Sequence, residues 1–136
     1  FLKFDTREVA WRTQYFNKYF KKEIPELYKH FETLEFTCDL YLIEWCSSLF
    51  LKLFPFSIAI RIWDNFLLDG EVFLFQTALG ILKYYESTLR NLTFSGIQGL
   101  LESVGSEMAP ERLFAMIDSI PMSVQEFNNE RLEQTK

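Results

Sequence analysis

The residues that could do chemistry in this chain are few, and their types narrow the chemistry quickly. His30 is the one histidine. With no cysteine close by in sequence it offers neither a zinc ligand set nor a base for a nucleophile, and it reads as a half-exposed helix residue. Cys38 and Cys46 fall eight residues apart. On one helix their Cα atoms would stand about 12 Å apart, too far for a disulfide, so they read as small buried hydrophobes of a reduced protein. The glycines are scattered at positions 70, 80, 96, 99 and 105, which leaves no glycine-rich phosphate loop. Glu102 and Glu107 read as solvated charge, no serine has an adjacent base, and no cluster has metal-ligand spacing. No catalytic residue, cofactor site or metal site is expected.

One polar group stands apart. Arg61, Asp64 and Asn65 recur at spacings of three and four, so on a helix they share a face, with Trp63 turned to the apolar side. Two readings are open. An exposed pair across one turn contributes about 0.3–0.5 kcal/mol. A partly buried pair would tie the helix to a neighbour or partner, and losing one charge would cost about 3–5 kcal/mol. A structural role for Arg61 and Asp64 is expected, with partner contact secondary.

The elements that must hold these residues are helical. The chain has 136 residues, about one domain. Its 14 Lys and Arg against 19 Asp and Glu give a formal charge of −5, which argues against a nucleic-acid binder. Apolar residues make up 49% and aromatic residues 18%, ample for a packed core and against disorder. The longest uncharged runs, 72–82 and 91–101, have 11 residues each, short of the roughly 18 that a membrane span needs. The opening residues show no basic-then-apolar pattern, so a secretion reading is not expected. Residue one is Phe and no initiator Met is present, so a piece of a longer, cytoplasmic protein is expected.

Asp5 can cap a first helix with Glu8 at the reciprocal position, and its apolar side collects Val9, Trp11, Tyr15, Phe16, Tyr19 and Phe20. Pro25 opens a second helix to about residue 34. A third spans 39–54, with Tyr41, Glu44, Ser48 and Lys52 as one wet stripe and the rest apolar, which places it at the centre of a bundle. Ser57 caps a fourth, ended by Gly70. A fifth runs from 71 to 90, with Gln76, Gly80, Lys83, Ser87 and Arg90 as its polar stripe. Gly80 marks either a close backbone approach or a tolerated glycine. Ser95 and Pro110 open two more, and Ser123 with Glu126 forms a capping box for a last, mostly polar helix that frays near its end. No strand is predicted. The fold class is all-α, one compact bundle of seven or eight helices over 1–136.

Three stretches then carry a resemblance: IPELYKHF at 24–31, LYLIEWCSSLF at 40–50 and RIWDNFLLDGEVFLFQTALGILK at 61–83. Together, and in this order, they resemble the C-terminal half of the TBC domain, the module of Rab GTPase-activating proteins. YLIEW and FQTALGILK are similar to the branch containing TBC domain family members twelve and fourteen. The resemblance implies a GTP-bound Rab-type partner. It also implies two catalytic groups in the family's N-terminal half: an arginine finger from I-x-x-D-x-x-R and a glutamine from Y-x-Q. Such a finger neutralises charge on the transferring phosphoryl group and is worth about 10³–10⁵ in rate. Asp5 and Arg7 have the wrong spacing for the first motif, and Gln14 precedes Tyr15, reversing the second.

The resemblance therefore implies a C-terminal lobe without fingers, which supports the catalytic half and adds to the Rab-facing groove. It assigns Arg61, Trp63, Asp64 and Trp45 to the seam between lobes or to the GTPase side. A TBC-like helical scaffold without GTPase-activating activity is the alternative. Recruitment to endomembranes would come through the Rab or other regions. A lobe without its other half should also leave an apolar face open, with Trp11, Tyr15 and Tyr19 the candidate, and should self-associate or capture that half.

Overall fold

A computed structural model describes residues 5–134. Among them the chain forms α1 (Thr6–Glu23), α2 (Pro25–Thr33), α3 (Leu42–Ser47), α4 (Phe56–Asp69), α5 (Glu71–Tyr84), α6 (Glu86–Leu89), α7 (Phe94–Ser103), α8 (Pro110–Asp118) and α9 (Val124–Gln134), with single 3-10 turns at Cys38–Leu40 and Val104–Ser106. The all-α reading holds, and the described residues contain no strand. Several caps also hold. The Asp5 carboxylate accepts from the Glu8 N–H at 2.9 Å, Pro25 occupies the first turn of α2, and the Ser123 hydroxyl accepts from the Glu126 N–H at 3.2 Å. Two caps differ. The chain enters α4 from Pro55 with no side-chain cap, so Ser57 does not serve. Thr93, not Ser95, caps α7, accepting from the Gly96 N–H at 3.3 Å.

The expected third helix is broken. Cys38 lies in the first 3-10 turn and Cys46 in α3, so the two free, buried thiols do not share a helix. After Ser47 the chain unwinds: Leu49 and Phe50 take left-handed backbone angles (φ 50 and 62), and the Phe50 N–H reaches back to the Trp45 carbonyl at 2.8 Å. That bond closes the end of α3 in the way a glycine usually does. Two things hold this costly turn. The Phe50 ring is fully buried, and the Trp63 indole donates to the Leu49 carbonyl at 2.8 Å. Downstream, a Cβ on Gly105 would lie 1.5 Å from the Leu53 carbonyl oxygen, so only glycine lets the two backbones meet. The expected fifth helix also divides, at Tyr85. Leu89 of α6 enters the core, and Arg90 pairs with Glu26 in the first turn of α2.

α5, not the third helix, is the centre. It is buried around its whole circumference through Val72–Phe75 and Thr77–Leu82, and it packs most extensively on α8. Three members of its supposedly wet stripe, Gln76, Gly80 and Lys83, form the α8 contact, whereas Ser87 and Arg90 lie beyond α5 and are exposed. A Cβ on Gly80 would come within 2.5 Å of Ile117 Cγ1 and 3.0 Å of Ile117 Cα, which resolves the glycine as a close approach. On either side, Gln76 donates to the Ile120 carbonyl at 3.0 Å and Lys83 to the Ser119 hydroxyl at 2.8 Å.

The face expected to lie open on α1 is closed. Phe127 of α9 is buried against Trp11 (5.5 Å between centroids), Tyr15 (5.3 Å) and Phe75 (5.6 Å), and the Tyr19 hydroxyl donates to the Glu126 carboxylate. α9 reads as polar because one aromatic residue does its docking. Thr135 and Lys136, part of the segment expected to fray, lie outside the described residues.

Candidate functional site

The four site candidates do not converge. Trp45 is buried, with its ring 5.0 Å from Tyr41 and 5.9 Å from Phe50. Trp63 is half-buried: its indole N–H is committed to Leu49, and its ring meets Phe56 edge to face at 6.0 Å. Arg61 and Asp64 are both exposed. Arg61 turns towards α8, where Nη1 lies 3.1 Å from Glu111 and Cζ sits 4.1 Å over the Phe114 ring. Asn65 donates to the Arg61 carbonyl at 2.9 Å. The partly buried Arg61–Asp64 pair is absent among the described residues.

What surrounds Asp64 is more informative. Phe56, Ile60, Asp64, Leu67 and Leu68 recur at helical spacing along the outer side of α4. The apolar members are 62%, 41%, 79% and 83% exposed. The inner side of α4 is held by Ile58, Ala59 and Ile62. An exposed apolar stripe of this kind, flanked by Arg61 and Asp64, has the composition of a protein-binding face.

The wet stripe of the third segment also finds a place. Glu44, Ser48 and Lys52 line an open cleft of about 240 Å³ with Trp45, Tyr41 and Gln98 of α7. Tyr41 departs from the expectation: its ring is buried, and its hydroxyl has no hydrogen-bond partner among the described residues. Burial holds that phenol far above its ordinary range. Burial likewise pushes the Cys38 thiol up to about 12, and the Cys46 thiol well above its usual value, so neither is a ready nucleophile.

Sequence reasoning missed a buried charge network. Arg12 is only 3% exposed and joins the second turn of α1 to the start of α5. Its guanidinium is bound on two nitrogens by Glu71 and donates from Nη1 to Glu8 at 2.6 Å. The Trp11 indole donates to the same Glu8 oxygen at 3.0 Å. That hydrogen bond, and then Arg12, hold the Glu8 carboxyl below its ordinary value. Arg12 sits among apolar positions of α1, and its partner Glu71 is 59 residues away, so periodicity alone carries no sign of the pair. Here Glu8 serves Trp11 and Arg12, not the reciprocal cap.

The fold and these surfaces define an all-helical protein with a buried central helix and an open apolar side, and with no metal-binding cluster among the described residues. The chain belongs to the Rab-GTPase-TBC domain family, which it matches over residues 1–90. It is similar to TBC1 domain family member 12 of Xenopus tropicalis and to TBC1 domain family member 14 of Homo sapiens, 42% identical to each over 107 residues, 79% of this chain. It is also 34% identical to Drainin of Dictyostelium discoideum over 105 residues. The chain covers 16%, 15% and 24% of the lengths of these relatives. No helix among the described residues is long and apolar enough to cross a membrane.

Proposed function

We propose that this chain is the C-terminal lobe of a Rab GTPase-activating module, a single helical unit over 1–136. It supports the finger-bearing N-terminal half of the TBC domain and contributes to the surface that receives a GTP-bound Rab, without carrying the arginine and glutamine fingers itself. The observation that carries this reading is the outer side of α4. Its exposed apolar residues, Phe56, Ile60, Leu67 and Leu68, flank Asp64 beside Arg61, within the family-matched segment. A lobe that works only against a second protein surface requires such a face. On this reading the protein acts in the cytoplasm and reaches endomembranes through its Rab or through other regions.

The test is single-turnover GTP hydrolysis by a Rab panel, paired with binding to the same GTP-loaded Rabs and to the N-terminal half of a relative's TBC domain. The chain alone should bind at least one of these and accelerate no Rab. Even a tenfold acceleration, about 1.4 kcal/mol of barrier, overturns the lobe without fingers. Binding that the Leu67→Asp, Leu68→Asp double variant leaves intact overturns the assignment of α4. Failure to bind any of them leaves the scaffold reading in its place.

A further inference from the structure

Phe56, Ile60, Asp64 and Leu68 recur at steps of four and form one ridge along the outer side of α4, with Leu67 beside its last member. At the helical rise this ridge is about 18 Å long, a little over three turns. Its apolar members are the most exposed large hydrophobic side chains of the helix, Leu67 and Leu68 standing 79% and 83% in solvent. A row with this spacing is what one helix lays into the groove of another. One end of the ridge is already set. The Phe56 ring meets Trp63 edge to face at 6.0 Å, and the Trp63 indole is held by the Leu49 carbonyl at 2.8 Å. Docking there costs little further ordering.

Asp64 interrupts the ridge between Ile60 and Leu68. It is exposed and forms no ion pair among the described residues. Arg61, the one cation of α4, is turned to Glu111 and Phe114 on α8, and Asn65 is bound to the Arg61 carbonyl. Asp69 at the end of the helix likewise has no ion pair among the described residues. The face therefore offers apolar surface around an unanswered negative charge. A carboxylate covered by apolar surface loses its water and needs a cation in return. We infer that this ridge docks an amphipathic helix of a partner polypeptide that carries a Lys or Arg in the middle of its apolar face, paired with Asp64. The inference rests on the assignment of α4 to a partner surface and names what that surface must carry. A second copy of the chain covers the leucines but brings no cation to Asp64, so it is the weaker occupant. A bilayer fits less well, because membrane-surface helices are rich in Lys and Arg, whereas this helix carries an acid in mid-stripe on a chain of net charge −5. That same charge favours the approach of a cationic helix.

The test is fluorescence anisotropy of a labelled helical peptide, fluorescein-LEALQAEKAQALEAL-NH2 in one-letter code, titrated with the full chain. Two counterparts carry glutamate or norleucine in place of the central lysine. The lysine peptide should bind about tenfold more tightly than the glutamate peptide, and severalfold more tightly than the norleucine one, because only it answers Asp64. Asp64→Asn should remove that preference and leave the unfolding midpoint unchanged. Leu67→Ala with Leu68→Ala should weaken all three peptides. Equal binding of the three, a lysine preference that survives Asp64→Asn, or no binding overturns the proposal. Self-association of the chain tighter than its binding of the lysine peptide overturns it in favour of a second copy. Sedimentation with phosphatidylcholine–phosphatidylserine vesicles that is lost in Leu67→Ala with Leu68→Ala overturns it in favour of a bilayer. If Leu67→Asp with Leu68→Asp abolishes binding to a Rab or to the N-terminal half while the three peptides bind alike, the face on α4 stands and the cationic helix alone falls.

Discussion

α4 and α5 are consecutive helices of 14 residues each, joined at Gly70, where a φ of 82 ends the first. Both are strongly apolar, yet they meet opposite environments. α5 has α4, α8 and α3 packed around it and hides even Thr77, whose hydroxyl turns back to the Phe73 carbonyl at 2.8 Å. α4 buries Ile58, Ala59 and Ile62, while Leu67 and Leu68 stand in solvent. Apolar content thus sets how much surface a helix can bury, and the number of neighbours decides how much it does bury. The surplus on α4 is the part of the sequence that the fold leaves unused.

The largest effects should come from α5. Phe75 is fully buried and touches Phe16 and Phe127, so Phe75→Ala should cost about 3–5 kcal/mol by chemical denaturation. Leu68→Ala on α4 should stay within about 0.5 kcal/mol. Equal costs would dissolve the contrast between the helices.

The anchor at the start of α5 comes next. Arg12→Ala leaves Glu8 and Glu71 facing one another without their cation. Its cost should fall short of the about 3–5 kcal/mol expected for a fully buried partner, because both carboxylates keep some solvent access. The pH dependence sharpens this. Glu8 is held below its unfolded value in the folded state, so its contribution is full above the ordinary carboxylate range and is lost as pH falls through the folded value. Denaturation midpoints of Arg12→Ala should therefore fall less steeply with acid than those of the unaltered chain. A parallel acid profile would show that the guanidinium does not set Glu8.

Gly80 tests the packing of α5 on α8. Alanine gains about 0.5–1 kcal/mol of helix propensity, but the new methyl group would meet Ile117 backbone atoms at 3.0 Å. Overpacking of that kind costs about 1–3 kcal/mol, so a net loss of stability is expected. A gain in denaturation midpoint would mean that α8 yields without strain.

Much of this fold is legible in the sequence, because periodicity and capping are local. Asp5, Pro25, Gly70, Ser123 and the all-helical class follow from neighbours within one turn. What escapes depends on distant residues. The break after Ser47 rests on Trp63, and the glycine at 105 answers to Leu53. Gln76 and Lys83 look solvated until α8 arrives to accept their hydrogen bonds. α9 carries its docking in Phe127 alone, so its polar pattern hides the cover it places over Trp11 and Tyr15. For the same reason an open apolar face was legible as a need, but its location on α4 was not.

The smallest stability effects should come from the outer side of α4. Arg61 reaches Glu111 at 3.1 Å with both side chains well exposed. Water screens such a pair, and Arg61→Ala should cost under about 1 kcal/mol, some of it lost packing over Phe114. Asp64→Ala should cost no more, and the double variant should come close to the sum of the two, since these residues do not pair with each other. Leu67→Asp with Leu68→Asp should shift stability by no more than about 0.5 kcal/mol per site, because neither side chain packs inside. Its effect should appear in association. Light scattering of the unaltered chain should show growth with concentration through the exposed apolar stripe, and the double variant should stay monomeric. If both remain monomeric over a wide concentration range, the stripe does not drive self-association. If the aspartates instead unfold the chain, Leu67 and Leu68 are packed, and the difference between α4 and α5 disappears.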